Sequence, residues 1–244
     1  MSDTLFKLED VNVAFDGHSL YQPSVNLEVV SKEKVLLFGA SASGKTVLFK
    51  VIAGLHEHSA GQITWQGKAI PGGQSRLTAR NQLMSIVPST FSFIEGLSVK
   101  ENILLPGHFS SVSKDQIEQR FEALLELFDF SDFDPALQKL SLSNILAMKS
   151  IAGLSNGQKE IVALARGLLT PARILMADEL LRSFNSAAEQ QVWNKLIAWL
   201  NRHEQALFMI THKEHLKKSL AEGSIDRILS INSGTLEAVV ASHD

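Results

Sequence analysis

A chain of 244 residues with 45% hydrophobic and 20% charged side chains has room for a large buried core and the balance of a soluble globular protein. Its formal net charge of −3 excludes an overall electrostatic footprint for DNA or RNA. The absence of cysteine excludes disulfides and thiolate metal sites and fits a reducing cytosol.

In chain order, residues 1–10 mix charged and apolar side chains without an apolar run of signal-peptide length. No later segment reaches the ~20 consecutive apolar residues that span a bilayer. A soluble chain is therefore expected, with any membrane role supplied by a partner. Residues 34–39 (KVLLFG) read as a buried strand running into a glycine-rich loop. Behind that loop Val47, Leu48, Val51 and Ile52 recur at helical spacing, with Gly54 as the stop. Residues 113–128 predict an amphipathic helix with Ile117, Phe121, Leu124, Leu125 and Phe128 on one face and Ser113 and Gln116 as its cap.

Further on, 174–177 is a second buried strand, followed directly by Asp178 and Glu179. A helix is expected from about Ser186, capped by Ser186 with Glu189 and striped by Val192, Leu196 and Leu200. Residues 206–211 (ALFMIT) form a third buried strand ending at His212, and 225–239 read as two strands around Asn232-Ser233-Gly234. Apolar strands alternating with helical patterns predict an α/β fold with a largely parallel sheet. The more helical 90–158 is expected as an inserted subdomain, leaving 1–89 and 159–244 as the core. There is no internal repeat and no low-complexity linker.

The chemistry begins at Gly39-Ala40-Ser41-Ala42-Ser43-Gly44-Lys45-Thr46, which matches G-x-x-x-x-G-K-[ST] between a strand and a helix. Such a loop points backbone N–H groups at phosphate oxygens, and the following helix N-terminus favours anions. Lys45 is expected on the β- and γ-phosphates of ATP and the Thr46 hydroxyl on Mg²⁺. Asp178 and Glu179, at a strand end in a chain with this loop, read as a metal-holding aspartate and a water-activating glutamate.

Leu154-Ser155-Asn156-Gly157-Gln158, followed by 159–169 (KEIVALARGLL), is similar to the signature segment of ABC-type ATPases. The resemblance extends over nearly the whole chain, through 39–55, 173–179, Thr211-His212 and 226–234. Ala177 and 97–106 (LSVKENILLP) resemble the bacterial lipoprotein-release and macrolide-exporter branch. The resemblance implies a P-loop NTPase fold with a RecA-like core sheet, small antiparallel β elements and an inserted α-helical subdomain. It also implies nucleotide binding by residues 39–47, Val47 included, adenine stacking on Phe15 and a γ-phosphate contact from His212. It implies a head-to-tail dimer in which the 154–158 segment acts on ATP bound by a second cassette. A separate transmembrane subunit would hold the pair at the cytoplasmic face of the membrane. No nucleic-acid partner is expected.

Two positions depart from the family pattern. Ser89 stands where a glutamine is usual, and serine reaches a metal only through a water. Residues 180–185 (LLRSFN) replace P-T-x-x-L-D, so Asn185 lacks the carboxylate. ATP hydrolysis with slower or differently coupled turnover is expected, the alternatives being a soluble non-transport ABC ATPase or a low-turnover regulatory ATP-binding module. Phe91, Phe93, Ile94 and Leu97 are the expected docking groove for the membrane subunit.

Overall fold

The computed structural model describes residues 3–148, 150–212 and 224–239. Of the expected core, 1–2, 213–223 and 240–244 lie outside this set, as does residue 149 of the helical segment. The chain opens with β1 (Thr4–Asn12), a small hairpin of β2 (Ala14–Phe15) and β3 (His18–Ser19), and β4 (Val25–Val30). Val25, Leu27 and Val29 of β4 are buried while Asn26 and Glu28 face solvent, the period of two that a half-covered sheet demands. β5 (Lys34–Phe38) instead buries every residue from Val35 to Phe38, as a strand covered on both faces must.

Beyond β5 come α1 (Lys45–Ile52), β6 (Ala60–Trp65), β7 (Lys68–Ala69), the polar helix α2 (Gly73–Leu83) and β8 (Met84–Val87). The next stretch is helical: α3 (Val99–Leu104), α4 (Lys114–Leu127), α5 (Pro135–Gln138), α6 (Leu142–Leu146) and α7 (Asn156–Leu168). The chain then returns to the sheet through β9 (Ile174–Asp178), α8 (Ser186–Arg202), β10 (Ala206–Thr211), β11 (Arg227–Asn232) and β12 (Thr235–Val239).

β4, β1, β6 and β7 form an antiparallel sheet in that order. The larger sheet runs β12-β11-β5-β10-β9-β8, parallel from β11 to β8 with β12 as an antiparallel edge. Alternate residues of its central strands feed two cores. Leu36, Leu175, Leu207 and Met209 pack towards α4, α7 and α8 through Phe121, Leu164 and Leu196. Leu37, Met176, Phe208 and Ile210 pack towards α1 and the antiparallel sheet through Leu48, Phe6 and Trp65. This is the expected α/β P-loop architecture.

The Ser113–Gln116 capping box forms as predicted. Two helix starts differ. α8 is capped by Asn185, whose side chain accepts the Ala188 N–H at 3.0 Å, one residue before the predicted Ser186. α7 starts at Asn156 rather than Lys159, because Ser155 and Gln158 themselves make a reciprocal capping box. The expected division at 158/159 thus falls inside one continuous helix.

Candidate functional site

The parallel register sets the ends of β5, β9 and β10 side by side, Thr211 beside Phe38 and Ile210 beside Asp178. Loops leaving the carboxyl ends of such strands form the crevice where α/β sheets take ligands. The 39–44 loop leaves β5 with no room for a side chain at its first residue. A Cβ on Gly39 would lie 2.5 Å from the Ile231 carbonyl oxygen and 2.6 Å from Ser43 Oγ. The loop ends at Gly44, φ +97°, which starts α1 with no side-chain cap, so the helix N-terminus stays available to an anion.

Lys45 is buried, and its Nζ donates to the Gly39 and Ala40 carbonyls, each at 2.7 Å. Burial lowers its pKa, opposed by the charges of Glu179 and Asp178. The ammonium thus sits within the loop whose phosphate it is expected to neutralise. Ser41, Ala42 and Thr46 are exposed, Val47 half-buried.

Tyr21, which the sequence reading did not single out, lies beneath this loop. It is buried, and its hydroxyl donates to the Gly44 carbonyl at 2.9 Å. Burial pushes the phenol well above its ordinary range. Asn12 fixes Tyr21 in turn, donating to its carbonyl at 2.7 Å and accepting its N–H at 3.2 Å. The β2–β3 hairpin is thereby tied to the phosphate loop. Phe15, at the hairpin tip, is 48% exposed, enough to offer a ring face, with the His56 ring edge-on at 6.0 Å.

Asp178 ends β9 buried. Its Oδ2 accepts from Ser89 Oγ at 3.1 Å, and its Oδ1 is buried without a hydrogen-bond partner. Burial raises the Asp178 pKa, the Ser89 bond opposes that, and Glu179 adds to it. A desolvated carboxylate oxygen without a donor fits a hard divalent cation, and the Thr46 hydroxyl suits the same ion. Glu179 adopts the left-handed backbone conformation, φ +54°, and its N–H donates to the Ile210 carbonyl at 2.9 Å. Its carboxylate meets His212 Nδ1 at 2.7 Å. Backbone strain in a non-glycine residue of this kind concentrates at functional sites.

The structure therefore brings Lys45, Ser89, Asp178, Glu179 and His212 together. The 154–158 segment stands at the start of α7 and is not part of this hydrogen-bonded set. Leu154 and Gly157 are buried there, Ser155 and Asn156 exposed, and Gln158 Nε2 donates to the Lys139 carbonyl at 3.0 Å. Among the described residues, no hydrogen bond joins 154–158 to 39–47.

The residues expected to form a docking groove differ in exposure, Ile94 standing 48% exposed. Phe91 and Phe93 are partly buried, with Arg182 and Arg166 over their respective rings. A separate open groove of about 830 Å³ lies between α2, the β8 edge and the turn after α3, lined by Leu77, Ile86, Phe109, Val112 and others.

A family model described as ABC transporter matches residues 23–182. The sulfate/thiosulfate import ATP-binding protein CysA of Yersinia pestis is 30% identical over 229 residues, 91% of this chain and 57% of CysA. The chain thus spans little more than half the length of that relative. The lipoprotein-releasing system ATP-binding protein LolD of Hydrogenovibrio crunogenus is 26% identical over 217 residues, 87% of this chain and 89% of LolD. A solved dimer of the ATP-binding cassette MJ0796, in a post-hydrolysis state with ADP and Pi, superposes with a TM-score of 0.76 at 20% identity. It covers 96% of this chain and 99% of the cassette.

Proposed function

We propose that this chain, which belongs to the ABC transporter family, is an ATP-hydrolysing subunit that works in a cassette dimer to move substrate through a separate membrane chain. The observation that carries the reading is the convergence of Lys45, Asp178, Glu179 and His212 at one end of the parallel sheet.

Lys45 would turn from the loop carbonyls to the β- and γ-phosphate oxygens, while Gly39 to Val47 present N–H groups to the phosphate chain and Phe15 stacks on adenine. Thr46 and Asp178 would hold Mg²⁺, with Ser89 keeping the second Asp178 oxygen occupied; the bound ion supplies charge neutralisation on the phosphates. Glu179 would accept the proton of the attacking water, its carboxylate held by His212. Ser155, Asn156 and Gly157 of a second cassette would close over the γ-phosphate, with Leu154 and Gln158 fixing the turn that presents them.

No helix among the described residues is long and apolar enough to cross a membrane. The 830 Å³ groove with its exposed Leu77 and Phe109 is our candidate seat for a cytoplasmic segment of the membrane subunit, which would place the chain on the cytoplasmic face. The 90–158 segment is read as the subdomain that carries this groove's upper wall and the signature.

The deciding measurement is steady-state ATPase activity beside nucleotide affinity. Glu179→Gln should keep ATP affinity and lower turnover by about 10²–10⁴-fold. Lys45→Ala should weaken ATP binding roughly tenfold or more. Equal turnover of wild type and Glu179→Gln would sink the assignment. The low-turnover regulatory reading is favoured by the Ser89–Asp178 bond and the engaged Asn185 side chain; tight ATP binding with no wild-type turnover selects it.

A further inference from the structure

Glu160 lies one turn into α7 and is completely buried. A carboxylate is stable there only with donors aimed at it. Two backbone N–H groups fill that role, both from the segment after Glu179. One Glu160 oxygen accepts from Leu181 N–H, and the other accepts from Ser183 N–H at 3.1 Å.

The segment so held is bent. Glu179 and Leu181 both sit in the left-handed region, φ +54° and +69°, where side chains other than glycine persist only under outside constraint. On the β10 side the constraint is the Glu179 N–H bond to the Ile210 carbonyl; on the α7 side it is Glu160. Just beyond, Phe184 presses on α7 so closely that a Cβ on Gly157 would lie 3.2 Å from its ring.

We propose that Glu160 is a positioning residue that fixes the Glu179 carboxylate toward His212, and so ties the setting of this chain's own water-activating group to the placement of its own signature turn. The two functional segments of one chain serve different ATP molecules in the dimer reading. A carboxylate bridging them gives each cassette a rigid path from the site it completes to the site it owns. The proposal rests on the reading of Glu179 above.

Glu160→Gln is isosteric but turns one acceptor oxygen into an NH₂ facing an N–H, which breaks half of the clamp. Turnover should fall about tenfold or more with the Kd for a fluorescent ATP analogue unchanged, and the same change added to Glu179→Gln should cost no further turnover. Amide hydrogen exchange supplies a readout independent of activity. In the wild-type chain the Leu181 and Ser183 amides should be protected, and in Glu160→Gln they should exchange faster while the α8 amides do not. Fast exchange of both amides in wild type overturns the clamp whatever the variant's folding. So does a Glu160→Gln loss carried wholly in nucleotide affinity, and in both cases Glu179 stands. Equal turnover of wild type and Glu179→Gln overturns the Glu179 reading itself, and the catalytic role of Glu160 with it.

Discussion

Ser89, expected from the family resemblance to replace a glutamine, has a definite partner in the structure. Its hydroxyl satisfies one oxygen of the buried Asp178, while the other has no hydrogen-bond partner and is the one proposed to hold Mg²⁺. Removing that donor with Ser89→Ala raises the Asp178 pKa further, since burial already raises it and the Ser89 bond opposes the rise. Protonated Asp178 cannot hold the ion, so the variant's Mg²⁺ binding should fail at a higher pH as pH is lowered. A lost hydrogen bond of about 1 kcal/mol corresponds to a roughly fivefold higher Mg²⁺ requirement. A Mg²⁺ titration of ATP binding at several pH values checks both, and an unchanged requirement would remove Ser89 from the site. The phosphate loop was legible in the sequence because its chemistry is local, seated between a strand and a helix. Tyr21 and Glu160 were not legible. One is a lone aromatic and the other a lone carboxylate in a helical run, and only their burial against Gly44 and Leu181 distinguishes them.

At the scale of elements, the strands were the most readable, since β5, β9 and β10 each contain an unbroken apolar run (35–38, 174–177 and 206–210) that a two-faced parallel sheet requires. Helix starts were less so where several capping residues stand in a row: Asn185 and Ser186 both suit a cap, and the backbone selects the first. The far end of α7 is closed by a side chain from another helix. Arg120 of α4 donates to the Leu168 and Leu169 carbonyls, each at 2.8 Å, while its guanidinium lies over the Trp199 ring of α8 at 5.2 Å. One side chain thus joins three helices and supplies the donors that the last carbonyls of α7 lack. Arg120→Met keeps much of the packing and loses the donors and the charge. It should destabilise the fold by about 2 kcal/mol, a drop of roughly 4–8 °C in Tm for a domain of this size. A thermal melt within about 1 °C of wild type would show that water replaces the guanidinium.

At the scale of the molecule, the 154–158 segment stands out in the sequence as five consecutive residues, whereas the groove lined by Leu77, Ile86, Phe109 and Val112 is invisible there because those residues meet only in three dimensions. The dimer proposed above assigns Asn156 to the ATP of a second cassette; it is exposed at the start of α7, and among the described residues no hydrogen bond joins its segment to this chain's own phosphate loop. Asn156→Asp isolates that role. A carboxylate at the first turn of a helix favours folding through the helix dipole, yet it repels a γ-phosphate brought to it by another cassette. The variant should melt no lower than wild type and bind ATP at its own intact loop, but turn it over poorly. Lys45→Ala has the complementary defect, a sound signature and a damaged loop. Mixed together, the two inactive chains should recover turnover that neither shows alone, because a mixed pair contains one sound loop facing one sound signature. If the mixture stays as inactive as its components while both bind partners, the signature acts on its own chain and the head-to-tail arrangement is wrong.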